Sequence, residues 1–200
     1  MKELSADMNT TRMEAFSDGV VAILITIMVL EMKVPHGTDW AALKPIVPVF
    51  LSYVMSFIYV GIYWSNHHHM LQLTHHTNGI ILWANLHLLF WLSLIPFASG
   101  WMGENHFAPM TAAVYGIVLL GAAVAYFLLQ SLIIRHQGAN SKLKAAVGRD
   151  RKGKASVLLY AVAIGLSLVH EWISMAIYVF VAILWLVPDR RIERKIIEEA

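Results

Sequence analysis

A chain of 200 residues with 58% hydrophobic and only 14% charged side chains falls well short of the roughly 25% charged residues of a soluble domain, so it reads as a membrane protein. It contains no cysteine, which excludes disulfides, thiolate metal sites and a cysteine nucleophile. The formal charge of +2 says little by itself, and its distribution says much more.

The first dozen residues are polar. The apolar run behind them is long and lacks a small-residue cleavage site, so no secretory signal peptide is expected. Six apolar stretches follow, at about 15–32, 45–65, 79–99, 110–134, 155–170 and 172–187. Each is judged against the roughly 20 residues that cross the hydrocarbon core. The expectation is an all-α integral membrane protein, a single domain over 1–200 with six transmembrane helices and no soluble domain. The last two stretches share a short segment around His170, Glu171 and Trp172. Two short helices are preferred there to one long one, because the charge pattern demands an even number.

With the N-terminus in the cytoplasm, the inner segments are the N-terminal arm, 66–78, 135–154 and the tail from Pro188. Their Lys and Arg number two, none, seven and four, whereas the outer segments hold only Lys33 and Lys44. Thirteen against two is a strong positive-inside bias. The 135–154 segment reads as a basic connector near anionic lipid, and the tail DRRIERKIIEEA as a short amphipathic helical end. Trp40, Trp64, Trp101, Trp172 and Trp185 stand near span ends, as interfacial anchors do. No internal repeat is present.

The first stretch, RMEAFSDGVVAILITIMVLE from Arg12 to Glu31, is organised by face. At about 100° per residue, Phe16, Gly19, Ile23, Ile27 and Leu30 share one narrow stripe, with Thr26 at its edge. Asp18 points roughly 140° away from that stripe and Ser17 roughly 120°. On spacing alone the stripe fits lipid-facing or bundle-core packing as well as a pore lining. Asp18 lies just inside the span, where a charge is expensive and marks a functional or tightly paired residue. A packing anchor bonded to the second span is the preferred role, since His67 and His68 end that span at the same depth and Trp64 lies one turn deeper.

The segment WSNHHHMLQLTHH holds His67, His68, His69, His75 and His76. Imidazole clusters bind iron, zinc or copper, but the other histidines (His36, His87, His106, His136, His170) are scattered. No acidic partner sits near the cluster, so a polar helix end with one or two structural histidines is expected, and no metal. His87, inside the third span, keeps both a structural and a functional reading. The sequence has no GxSxG, HExxH or Walker loop, no TVGYG-type filter and no voltage-sensing arginine ladder.

The pattern R-x3-F-S-D-G-V-x-A-I-x-I-T-x3-L-E, met as Arg12, Phe16, Ser17, Asp18, Gly19, Val20, Ala22, Ile23, Ile25, Thr26, Leu30 and Glu31, resembles the signature of the transmembrane protein 175 family, potassium channels of prokaryotes and the animal endolysosome. Trp64-x2-His67-His68 and Leu94-x-Pro96-Phe97 are similar to further family motifs. The resemblance implies a six-span subunit, four copies around a central pore, in the plasma membrane of a prokaryote with both termini cytoplasmic. It implies potassium as the permeant ion, no cofactor, no nucleic-acid partner and no enzymatic activity. Carried over by position, the rings of constriction and selectivity are Ile23, Ile27 and Leu30, with Thr26 between them offering a hydroxyl or bonding back to the Ala22 carbonyl. Position 27 is Ile where Leu is common. Arg12, Phe16, Ser17, Asp18, Trp64, His67 and His68 become structural motif residues. Two other classes stand beside this one: a proton-coupled transporter using Asp18 and His87, and a histidine-box membrane enzyme.

Overall fold

The computed structural model describes residues 8–74, 76–138, 141–148 and 150–186. Eight α-helices lie among them. They are α1 (Thr11–Leu30), α2 (Val47–Gln72), α3 (Gly79–Ser93), α4 (Ile95–Glu104), α5 (Pro109–Gln137), α6 (Lys142–Val147), α7 (Arg151–Ser167) and α8 (Glu171–Leu186). A short 3-10 helix, Trp40–Ile46, leads into α2. Four stretches are long and apolar enough to cross a membrane: Thr11–Leu30, Trp40–Gln72, Gly79–Glu104 and Pro109–Gln137. The tail with Arg190, Arg191, Arg194 and Lys195 lies outside the described residues, as does His75.

Local chemistry sets the boundaries. The Asn9 carboxamide oxygen accepts from the Thr11 amide and hydroxyl, and Glu14 sits in the first turn of α1, where the helix dipole favours an acid. Asp39 caps the 3-10 helix through the Ala42 amide at 3.0 Å. Asn78 caps α3 through Ile81 at 3.0 Å. Pro96 interrupts the backbone ladder between α3 and α4, so the third apolar stretch runs to Glu104 with a break at Leu94. α5 ends at Gly138, whose φ of 71° costs an L side chain far more than glycine.

Three expectations need correcting. The fold is not wholly helical: β1 (Met8–Asn9) pairs antiparallel with β2 (His76–Thr77), Met8 opposite Thr77 and Asn9 opposite His76. The helix end expected at His67 and His68 lies further along, because α2 continues through the histidines to Gln72. The third stretch passes residue 99 by five residues. At the C-terminal side, α7 and α8 are separate helices joined by a turn at 168–170. Ser174 donates to the Ala163 carbonyl and Trp185 to Ser156, so the two run antiparallel.

The core is tied by tyrosines rather than by apolar packing alone. Tyr59 of α2 donates to the Tyr178 carbonyl of α8 at 2.6 Å. Tyr178 donates to the Ala112 carbonyl of α5 at 3.1 Å, and Ser56 pairs with Tyr115 at 3.0 Å. A phenol brings apolar area and one polar atom, which must be satisfied when buried. Gly116 makes the fit possible, since a Cβ there would overlap the Tyr178 hydroxyl and approach Ile164 Cγ1 to 2.9 Å. Gly116→Ala is therefore expected to destabilise the fold by about 1–3 kcal/mol, read as a lower melting temperature in detergent. Gly165→Ala, where a Cβ meets nothing within 4 Å, is expected to be neutral or mildly stabilising.

Candidate functional site

α1 divides into two faces. Met13, Ser17, Val21, Leu24 and Met28 are buried against α2, α3 and α4. Phe16, Ile23, Ile27 and Leu30 are exposed to 55%, 57%, 40% and 79%, whereas Leu24, next to Ile23, is exposed to only 5%. The stripe read from the sequence is thus left open by the single chain. Thr26 is also exposed, and its hydroxyl donates to the Ile23 carbonyl at 2.8 Å. The expected backbone acceptor is Ala22, four residues back; the observed one is three residues back.

The polar head of α1 is joined to its neighbours by three ties. Trp64 Nε1 donates to Asp18 Oδ1 at 3.0 Å. His68 Nδ1 meets Glu14 Oε1 at 2.9 Å, and Trp64 stacks on the His68 ring at 6.0 Å between centroids and 19° between planes. Asn85 Nδ2 donates to Ser17 Oγ at 2.9 Å, while Ser17 donates to the Met13 carbonyl at 2.8 Å. With its nitrogen so used, Asn85 offers Oδ1 to His67 Nε2 at 2.7 Å.

These partners define the imidazoles. Asn85 Oδ1 is an acceptor, so His67 carries its proton on Nε2. The Glu14 carboxylate is acceptor-only, so His68 carries a proton on Nδ1. Its Nε2 lies 2.9 Å from the Gln72 amide nitrogen, one turn along the same helix. Each of these histidines is engaged by a different helix partner. Among the described residues no group of three or more His, Cys, Asp or Glu is arranged to hold a metal ion.

Asp18 therefore binds α2, through Trp64 rather than through a histidine. Arg12 is exposed on the edge of a hollow lined by Phe16, Leu82 and Leu86. His87 is exposed and accepts from Trp91 one turn along its own helix at 3.0 Å, so it shares no partner with Asp18. Sequence reasoning missed Glu14 and Asn85. Asn85 carried a signal, a lone carboxamide in the apolar run GIILWANLHLLFWLS, where polar groups seek interhelical partners.

The model of the family described as endosomal/lysosomal potassium channel TMEM175 matches residues 12–96, which contain the stripe and every member of this network. A protein named potassium channel from a Chryseobacterium species is 54% identical over 96% of this chain and the whole of its own length. The chain belongs to the TMEM175 family. A second relative named potassium channel, from Chamaesiphon minutus, is 29% identical over 92% of this chain and 96% of its own. The fold is similar to the crystal structure of a lysosomal potassium-selective channel TMEM175 homolog from Chamaesiphon minutus, with TM-score 0.75, 28% identity, and coverage of 90% of this chain and 97% of that one. TMEM175 relatives are ion channels, not enzymes, so the histidine-rich end of α2 belongs to a channel fold.

Proposed function

We propose that this chain is one of four identical subunits of a potassium-selective channel in a prokaryotic plasma membrane. In this reading each subunit crosses the bilayer six times with both termini cytoplasmic, α7 and α8 forming the last, short hairpin, and α1 lines the central pore. One observation carries it. Ile23, Ile27 and Leu30 are exposed in line along α1 while Leu24 and the polar head are fastened to the rest of the subunit. In a family whose relatives bear the name potassium channel, four such stripes meeting on an axis form apolar rings. From Ile23 to Leu30 they occupy about 10 Å of axial rise.

A neck of this kind gates by dewetting, because its walls offer water and ions no partner. A passing ion sheds part of its shell with little replacement. Potassium holds its water less tightly than sodium, so the penalty falls more lightly on potassium. Purified protein in liposomes is expected to dissipate a potassium gradient passively and to ignore an imposed pH gradient. Flux that stops without a proton gradient would instead support a proton-coupled transporter built on Asp18 and His87.

A further inference from the structure

Away from α1, a second feature is unassigned. α2, α5, α7 and α8 line a partly open cavity of about 40 Å³, room for about three water molecules. Its walls are aromatic: Tyr59, Tyr63, Tyr126, Tyr160 and Trp185. One ionisable carboxylate, Asp150 at the start of α7, faces into it.

The lining is short of donors. Tyr59 donates to the Tyr178 carbonyl and Tyr126 to the Asn66 carbonyl at 3.1 Å. Trp185 donates to Ser156 at 2.8 Å, Ser156 to the Lys152 carbonyl at 2.9 Å, and the Asn66 amide to the Ile62 carbonyl at 2.8 Å. Tyr160 is hydrogen-bonded to the Tyr59 hydroxyl, and the tyrosine oxygens carry lone pairs. What the cavity offers an occupant is π-faces and oxygen acceptors.

Asp150 sharpens the preference. It accepts from the Gly153 amide at 3.1 Å and from Gln130 Nε2 at 3.4 Å, and no cation stands within salt-bridge distance of it among the described residues. The Lys152 ammonium reaches the Leu184 carbonyl of α8 instead. A half-buried carboxylate that no described cation pairs, beside aromatic faces, attracts a cation with an apolar body. An anion is repelled by the same group.

We propose that this cavity is a binding site for a small primary alkylammonium ion, its nitrogen at Asp150 and its alkyl part among the tyrosines. Propylammonium, with four heavy atoms, matches the space. So few atoms support about millimolar affinity. The site is separate from the α1 stripe and does not depend on the pore reading.

Ligand-observed NMR on the full-length protein in detergent tests this, following the methyl resonance of propylammonium and of neutral 1-propanol. Saturable broadening is expected for propylammonium, and binding at least about tenfold weaker for 1-propanol. Asp150→Asn isolates the charge. Asparagine caps a helix as well as aspartate and tolerates the left-handed φ of 42° found here, so α7 keeps its start. Binding is expected to fall at least about tenfold. Ala123→Leu, which fills the cavity from α5 without touching the charge, is expected to abolish it. Equal binding of 1-propanol, undiminished binding in Asp150→Asn or in Ala123→Leu, or no broadening beyond that of protein-free micelles each overturns the proposal. The last outcome leaves the cavity to water.

Discussion

Ile23→Ala channels in liposomes are expected to leak more than the parent and to lose part of their preference for potassium over sodium. The change removes three heavy atoms from each of four copies at the proposed neck, so ions pass more fully hydrated. Ile23→Asn should also wet the neck by supplying polar partners. Leu24 is the internal control. It lies about 100° round the helix and is exposed to only 5%, so Leu24→Ala should cost about 2–5 kcal/mol of stability and leave permeation close to the parent. General loosening of α1 would move both variants together, whereas a pore ring moves only one. Unchanged conductance and selectivity in folded Ile23→Ala tetramers, with altered permeation at Leu24, would place the wrong face of the helix on the axis.

Asn85→Leu is expected to cost stability rather than selectivity. Asn85 is exposed to only 2% and His67 to 6%. Removing the carboxamide leaves the His67 Nε2 proton buried without its acceptor, while Ser17 keeps its bond to Met13. An orphaned buried donor costs about 1–3 kcal/mol. Detergent melting temperature and recovery of assembled protein should both fall. The double variant Asn85→Leu with His67→Leu should regain part of the loss, because deleting both partners leaves nothing unsatisfied. A double variant no better than the sum of the two single ones would remove the His67–Asn85 bond from the account. Ion selectivity in whatever assembles should match the parent, since Asn85 lies off the stripe.

Much of this fold is legible in the sequence because membrane-length apolar runs are a strong signal. The runs that became α1, α2, α3 with α4, and α5 can be read from composition alone, whereas the turn near His170 between α7 and α8 follows only from the charge pattern. The two faces of α1 follow from the helical period. Less legible was whatever depends on contacts distant in the chain. Polarity placed the end of α2 at His67 and His68, yet the helix continues to Gln72, since Asn85 and Glu14 satisfy imidazoles that would otherwise favour water. Asp18 accepts from the Trp64 indole of α2, a partner that can be chosen only once the two helices are docked. The β1–β2 ladder involves two residues on each side, too few for an alternating pattern. The tyrosine-lined cavity draws on four helices and has no local motif at all.

The three interhelical ties of α1 run from Glu14, Ser17 and Asp18, and the β1–β2 ladder fastens the chain just ahead of them. Beyond Asp18 the helix makes no side-chain hydrogen bond to another helix among the described residues. Val21, Leu24 and Met28 hold it by apolar contact, and past its end an exposed Lys33–Glu104 pair at 3.1 Å adds about 0–1 kcal/mol. Mechanically, α1 is a cantilever clamped near its N-terminus. Apolar side chains slide over one another without a fixed direction, whereas each tie at the clamp has a set geometry. A tilt of about 10° about Asp18 moves Leu30, about 18 Å away, by about 3 Å, but Ile23, about 7.5 Å away, by only about 1.3 Å. Ile23, nearest the clamp, is held stiffly, and the compliance of the helix is concentrated at its C-terminal tip around Leu30.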